Sequence, residues 1–161
     1  MAQNPHEYLI DQVQTQTGST GTSLQLNFNH PVKELIFTLP DRATFTSNVK
    51  CNLKLNGQDR FAPQVAEYFQ VLQPLEYHTA IPAMNISGGT VALTSKATVV
   101  INVYSFSIRP EEHQPSGTCN FSRIDSATLN FTSAVPVNNV YAVNYNVLRI
   151  MSGMGGLAYS N

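Results

Sequence analysis

Period two dominates the chain. From Thr22 to Phe28, Leu24, Leu26 and Phe28 occupy one face while Gln25 and Asn27 occupy the other. Val49, Cys51, Leu53 and Leu55 alternate with Lys50, Asn52 and Lys54, and Ala127, Leu129 and Phe131 alternate with Thr128, Asn130 and Thr132. This is the signature of antiparallel strands with one buried face. Two longer segments change phase. After Val99, Ile101 and Val103 point one way, then Tyr104, Phe106 and Ile108 the other; after Tyr141, the series Tyr141, Val143, Tyr145, Val147 gives way to Leu148 and Ile150. Such a change predicts a β-bulge or a strand passing between sheets.

Turn residues divide the pattern into eight strands, at 7–14, 22–29, 32–39, 48–56, 99–109, 124–133, 139–151 and 156–160. The breaks fall at Gly18-Ser-Thr-Gly21, His30-Pro31, Asn56-Gly57 and Gly153 to Gly156. Proline lacks the N–H a ladder needs and pushes its predecessor, His30, toward an extended backbone. One helix is predicted near 62–72, starting from Pro63, because Val65, Tyr68, Phe69 and Leu72 fall at i, i+3, i+4 and i+7. Eight strands with long connections suit an all-β, two-sheet antiparallel jelly roll, a single domain over residues 1–161. Leu24, Leu26, Phe28, Leu53, Leu55, Phe106, Leu129 and Phe131 are its expected core. Residues 73–98 form a long excursion, the kind that makes contacts.

Composition sharpens this picture. Charged residues are only 12% of the chain and the formal net charge is −1, so no basic surface for nucleic acid is expected. Asn, Gln, Ser and Thr supply 52 of the 161 residues. The apolar share of 42% supports a core. The start MAQNPHEYLIDQ has no basic and apolar leader pattern, and no apolar run is long enough to span a membrane. Cys51 and Cys119 stand apart, which fits buried free thiols better than a disulfide.

Catalytic and metal-binding patterns are not found. His6-Glu7 opens like a zinc motif, but Ile10 stands where the second histidine belongs. His30, His78 and His113 are isolated in sequence. Ser116 and Ser152 sit beside glycines without forming a nucleophile elbow, and SGMGG near the end reads as a tight turn. The adjacent Glu111 and Glu112 should diverge. The sequons at Asn85, Asn120 and Asn130 arise readily in so polar a chain. No catalytic, cofactor-binding or metal-binding residue is assigned, and no cofactor is expected. Asp59, Arg60, Arg123 and Asp125 are read as ion pairs or backbone anchors for loops, with contacts to other subunits as the alternative.

Five blocks go beyond composition: AQNPHEYLIDQVQ at 2–14, LNFNHPVKELIF at 26–37, LNGQDRFAPQVAEYF at 55–69, YSFSIRPEEHQPSGTCNFSRID at 104–125 and NYNVLRIMSGMGGLAYSN at 144–161. In that order they resemble the C-terminal part of the major capsid protein of nucleocytoplasmic large DNA viruses. Segments 40–48, 73–98 and 133–140 match poorly. The resemblance implies a double jelly roll, of which this chain holds the second roll. It implies homotrimeric, pseudo-hexagonal capsomers that tile an icosahedral shell around an internal membrane. The implied partners are other capsid subunits and neighbouring capsomers, with room for minor capsid proteins. Direct nucleic-acid contact and membrane insertion are not implied. The implied place is the virion shell, assembled in the cytoplasm of an infected cell, and the implied role is structural rather than enzymatic. Met1 falls where the family chain passes from the first roll to the second. An excised domain, a split reading frame and a relative reduced to one roll all fit. The alternative role is a jelly-roll module binding a glycan or host receptor, with Tyr77 and His78 in the 73–98 excursion as its feature.

Overall fold

The computed structural model describes residues 4–40, 45, 48–82, 84–87, 90–93 and 100–160. In chain order the strands are β1 (His6–Thr17), β2 (Thr20–Leu26), β3 (Pro31–Leu39), β4 (Cys51–Leu55), β5 (Gln58–Asp59), β6 (Met84–Ser87), β7 (Thr90–Leu93), β8 (Val100–Ser105), β9 (Cys119–Asn120), β10 (Ala127–Pro136), β11 (Asn139–Met151) and β12 (Met154–Leu157). The larger sheet runs β1-β11-β3-β8, with β12 paired to β11 and β9 to β3. The smaller runs β2-β10-β4-β5, and β6 and β7 make a separate hairpin. All the pairings are antiparallel. All eight expected strands are present, and consecutive strands repeatedly cross between sheets, which is the jelly-roll wrap.

Two turns follow directly from their sequences. Asn56 and Gly57 have φ of 51° and 79°, as do Ser152 and Gly153 at 53° and 80°. Positive φ at both central residues gives the tight turn that matches strand twist, and it joins β4 to β5 and β11 to β12. Gly18 serves a different need. A Cβ there would lie 2.2 Å from the carbonyl oxygen of Val137, so only glycine lets β1 turn into β2 at that point. His30 departs from expectation: its φ is 67°, left-handed rather than extended. Bonds hold it there, since the His30 N–H donates to Ser122 Oγ at 2.8 Å and its carbonyl accepts from the Phe121 N–H at 3.0 Å.

The predicted phase changes have another cause. β11 pairs with β1 without interruption from Asn139 to Ile150, so its faces never exchange. Val140, Ala142, Asn144 and Asn146 point inward; Tyr141, Val143, Tyr145 and Val147 point outward. Both faces carry apolar residues, and the inward row turns from apolar to amide halfway. β8 behaves alike, with Asn102 buried between Val100 and Tyr104. The real irregularity is at Lys33, whose carbonyl accepts from both the Phe106 and Ser107 N–H groups, and across which the β3–β11 register shifts.

The helix also differs. Helical residues run over 66–77, four residues later than expected. Gln64 is committed elsewhere, because it exchanges two backbone hydrogen bonds with Cys51, and Pro63 therefore precedes a strand-like bridge. Tyr68–Leu72 is a π-type turn followed by α1 (Gln73–Tyr77). The wider turn lets Pro74 follow without the usual clash against the preceding turn. Its extra residue also rotates the faces. Ala66, Phe69, Gln70 and Gln73 are buried, whereas Leu72 and Leu75 of this segment are exposed.

The core lies between the sheets. Phe37 packs on Phe45, Phe69 and Phe131, with ring centroids 5.6–6.4 Å apart. The aromatic row continues through Phe61, Tyr104, Phe106 and Phe121 to Phe28. Of the eight expected core residues, six are fully buried; Leu55 and Phe106 are half-buried and packed against the core edge. Cys51 is buried, whereas Cys119 is only partly so, and both are free thiols. Burial pushes both thiols above their ordinary range.

Candidate interaction surfaces

Among the described residues, three apolar surfaces are exposed. The outer face of the larger sheet carries Leu9 and Val13 of β1, Tyr141, Val143 and Val147 of β11, and Ile101 of β8. Val13 is 57% exposed at the centre of an edge strand. The second surface is a hollow of about 430 Å³ along the helical segment, and Val65, Tyr68, Val71, Leu72 and Leu75 provide its apolar wall. The π-type turn created it by rotating those side chains away from the core. The third is the β11–β12 hairpin, where Met151, Met154, Leu157 and nearby Tyr159 are exposed, Met154 to 75%. Contiguous exposed apolar groups on a rigid sandwich mark contact surfaces.

The smaller sheet presents the opposite chemistry. Its outer face sets Ser23 of β2, Asn130 and Thr132 around β10, and Asn52 and Lys54 of β4 side by side. With Lys50 and Asp59 they line a hollow of about 450 Å³. Asp59 accepts from Asn52 Nδ2 at 2.8 Å and lies 3.7 Å from Lys54 Nζ, so it anchors the β4–β5 turn as expected. Arg60, Arg123 and Asp125 make no side-chain ion pair among the described residues, which corrects that part of the reading. The loop at 123–126 is instead fixed by Asn56, whose Oδ1 accepts from the Asp125 and Ser126 N–H groups.

Charge gathers at the end of the sandwich near the helix. Lys33 is buried at the bulge; its Nζ lies 3.5 Å from Asp11 Oδ1 and 4.9 Å from the Tyr145 ring centroid, and it donates to the Glu112 carbonyl at 3.1 Å. His113 Nδ1 is 3.6 Å from Asp11. His78 stands between two carboxylates, Glu34 and Glu111. Burial pushes the Glu34 carboxyl above its usual range, partly offset by His78. Hydrogen bonds from Thr79, with a smaller contribution from His78, hold Glu111 below it. Glu111 and Glu112 do diverge: the second faces Arg109 at 3.5 Å.

The isolated motifs take structural places. Glu7 binds Arg149, with Nη2 at 2.6 Å and Nε at 2.7 Å, across the β1–β11 pair. Ser116 Oγ accepts from the Arg109 N–H. Asn120 Oδ1 accepts from the Ser122 N–H, and Asn130 Nδ2 donates to Thr128 Oγ1. The side chain of Asn85 lies outside the described residues. Tyr77 is half-buried and both ring nitrogens of His78 lie against carboxylates, and the two residues line a hollow of about 350 Å³ with Thr79, Ile108 and Glu111. Among the described residues, no group of three or more His, Cys, Asp or Glu side chains is placed to hold a metal ion, and no helix is long and apolar enough to cross a membrane. The sequence missed the helix-side hollow, because nothing in it announces a π-type turn, and missed the pairing of His78 with glutamates 44 and 33 positions away.

Comparison with known proteins agrees with this architecture. The family described as large eukaryotic DNA virus major capsid protein matches residues 38–156. The major capsid protein of Pyramimonas orientalis virus is 48% identical over 99% of this chain and 44% of that protein. That of Paramecium bursaria Chlorella virus 1 is 36% identical over 99% of this chain and 50% of that protein. The chain thus spans about half the length of these curated relatives. Among solved structures, a chain of the PBCV-1 virus capsid superimposes with a TM-score of 0.76 at 33% identity, covering 99% of this chain and 52% of that one. A Faustovirus major capsid protein, 12% identical with a TM-score of 0.54, shares the fold. A jelly roll with polar loops, unpartnered apolar faces and this degree of identity belongs to the large eukaryotic DNA virus major capsid protein family.

Proposed function

We propose that this chain is a structural building block of an icosahedral viral capsid, supplying one jelly roll, the second, to a two-roll subunit. The observation that carries this reading is the superposition of 99% of the chain on about half of a PBCV-1 capsid chain. Three subunits of two rolls give six rolls, the number a pseudo-hexagonal capsomer needs. The partners are the other roll, the other subunits of the homotrimer, adjacent capsomers and minor capsid proteins. The exposed apolar faces of the larger sheet, the helix-side hollow and the β11–β12 hairpin are the surfaces such contacts would cover. Their burial supplies the driving force, at about 25 cal/mol per Å² of apolar area before the costs of association. The many amides and hydroxyls favour broad protein contact, because they are less costly to desolvate than charges. The role is mechanical, without catalysis, direct nucleic-acid contact or membrane insertion, and its place is the virion shell, assembled in the host cytoplasm.

A chimera tests this. Residues 4–160 would replace the matching region of the Pyramimonas orientalis virus major capsid protein, and the purified product would be imaged by electron microscopy. Discrete three-subunit particles with a pseudo-hexagonal outline are expected. A folded chimera that remains a single subunit would overturn the proposal.

A further inference from the structure

The row Glu34–His78–Glu111 has a proton count dictated by its geometry. His78 Nε2 lies 2.8 Å from Glu34 Oε2, and Nδ1 lies 3.0 Å from Glu111 Oε1. A carboxylate only accepts, and a neutral imidazole has one N–H to donate. Both contacts are hydrogen bonds only when the row binds one further proton, on the ring or on a carboxyl. The three groups come from separate segments: Glu34 from β3, His78 from the end of the helical segment, and Glu111 from the loop after β8. Glu111 Oε1 also accepts from the Thr79 N–H at 3.0 Å and from Thr79 Oγ1 at 3.2 Å, so one oxygen gathers three donors.

We propose that Glu34, His78 and Glu111 form a single-proton latch that fastens residues 78–79 and the 109–113 loop onto β3, and that the latch opens when this proton is lost.

Among the described residues no cation takes the place of the row's proton, although the Lys33 charge draws Glu34 down somewhat. From β3, Lys33 sits beside Glu34, but its ammonium contacts Asp11 and the Glu112 carbonyl. From the loop, Arg109 faces Glu112 and His113 faces Asp11. From the helical segment, Glu76 and Tyr77 precede His78 and add no positive charge. Among the described residues, no Lys or Arg makes an ion pair with Glu34 or Glu111. Only 9% of the Glu34 side chain and 16% of that of His78 are exposed, so water replaces the lost bond poorly.

The sign follows from linkage. The closed row binds a proton that the open segments release, so closure weakens as pH rises. Glu34, held above its usual range by burial, acts in the same direction, between the ordinary carboxylate value and its raised one. Glu111, held below its usual range, acts oppositely: it stays ionised and bonded to Thr79 until pH falls below the ordinary carboxylate range. The latch is therefore closed at intermediate pH and opens toward alkaline pH. Its opening frees the loop that, with Tyr77, His78 and Thr79, lines a hollow of about 350 Å³.

Amide exchange of the full chain, corrected for intrinsic rates, tests this across a pH series, alongside ¹⁵N spectra of the His78 ring. The Thr79 amide is expected to lose protection by about tenfold per pH unit through one transition, in step with loss of the ring's second proton signal or of the proton on Glu34. In His78→Gln that pH dependence should vanish, and in Glu34→Gln the transition should move to lower pH, because one of the charges that holds the proton is gone. Flat protection of Thr79 in the unmodified chain would overturn the latch, with no variant required. So would the same transition persisting in His78→Gln.

Discussion

Two sides of this sandwich, the β1 edge and the side of β3 and β8, are sealed by different chemistry. Near the helical segment, Phe37, Phe45, Phe69 and Phe131 fill the space between the sheets with rings at edge-on and tilted angles. Along the β1 edge, facing residues 25–29, amides do the sealing. Gln16 Nε2 donates to the Gln25 carbonyl at 2.6 Å, and Gln16 Oε1 accepts from the Asn27 N–H at 2.8 Å. Gln14 Oε1 accepts from the Asn29 N–H at 3.1 Å and from Asn144 Nδ2 at 2.9 Å. Asn146 Nδ2 donates to Gln12 Oε1 at 3.0 Å. Alternate glutamines of β1 thus act as a substitute strand along the open edge of β2, supplying a donor and an acceptor where backbone groups would stand.

The difference teaches what each side tolerates. The aromatic side depends on volume, so a smaller side chain leaves a void. The amide side depends on matched donors and acceptors, so it resists a change of polarity more than a change of size. One atom falls short even there: Asn144 Oδ1 is buried and has no hydrogen-bond partner among the described residues.

Phe37→Ala is expected to have the largest effect, about 3–5 kcal/mol lost in chemical unfolding, because the ring is fully buried and touches three others. A loss under about 1 kcal/mol would show that the aromatic side repacks freely. Asn144→Leu, nearly equal in volume, should still cost about 1–3 kcal/mol, since Gln14 and the Asn29 carbonyl lose a donor. If it proved neutral, the amide side would be ordinary core. Gln16→Ala should cost about 0.5–1.5 kcal/mol, with faster amide exchange at Asn27 as its local sign. Leu75→Ser should change stability by less than about 0.5 kcal/mol, because that side chain faces outward. A larger loss would place Leu75 in the packing and remove the helix-side hollow from the contact surfaces.

Legibility followed the same division. Strands with one apolar face, such as Leu24 to Phe28 and Ala127 to Phe131, were plain from alternation. β8 and β11 were not, because Asn102 and Asn144 hold core positions through hydrogen bonds, and apolar residues on the outer face then imitate a change of phase. Nothing in the sequence marks the roles of Gln12, Gln14 and Gln16, since their partners lie 9 to 134 positions away. The helix was displaced for a related reason: its apolar spacing was real, but the Gln64–Cys51 bridge and the π-type turn are tertiary choices that local periodicity does not encode. The surfaces offered for assembly came largely from these unread features.

The central claim is that the exposed apolar faces are contact surfaces of a capsid building block. Light scattering of the purified chain over a concentration series tests it most directly. With a formal net charge of −1, little long-range repulsion opposes contact. The expected result is a mass that climbs above the 17.7 kDa of one chain as concentration rises, and climbs less when Val13, Leu75 and Met154 are changed together to Ser. A mass fixed at that of one chain at every concentration would contradict the account.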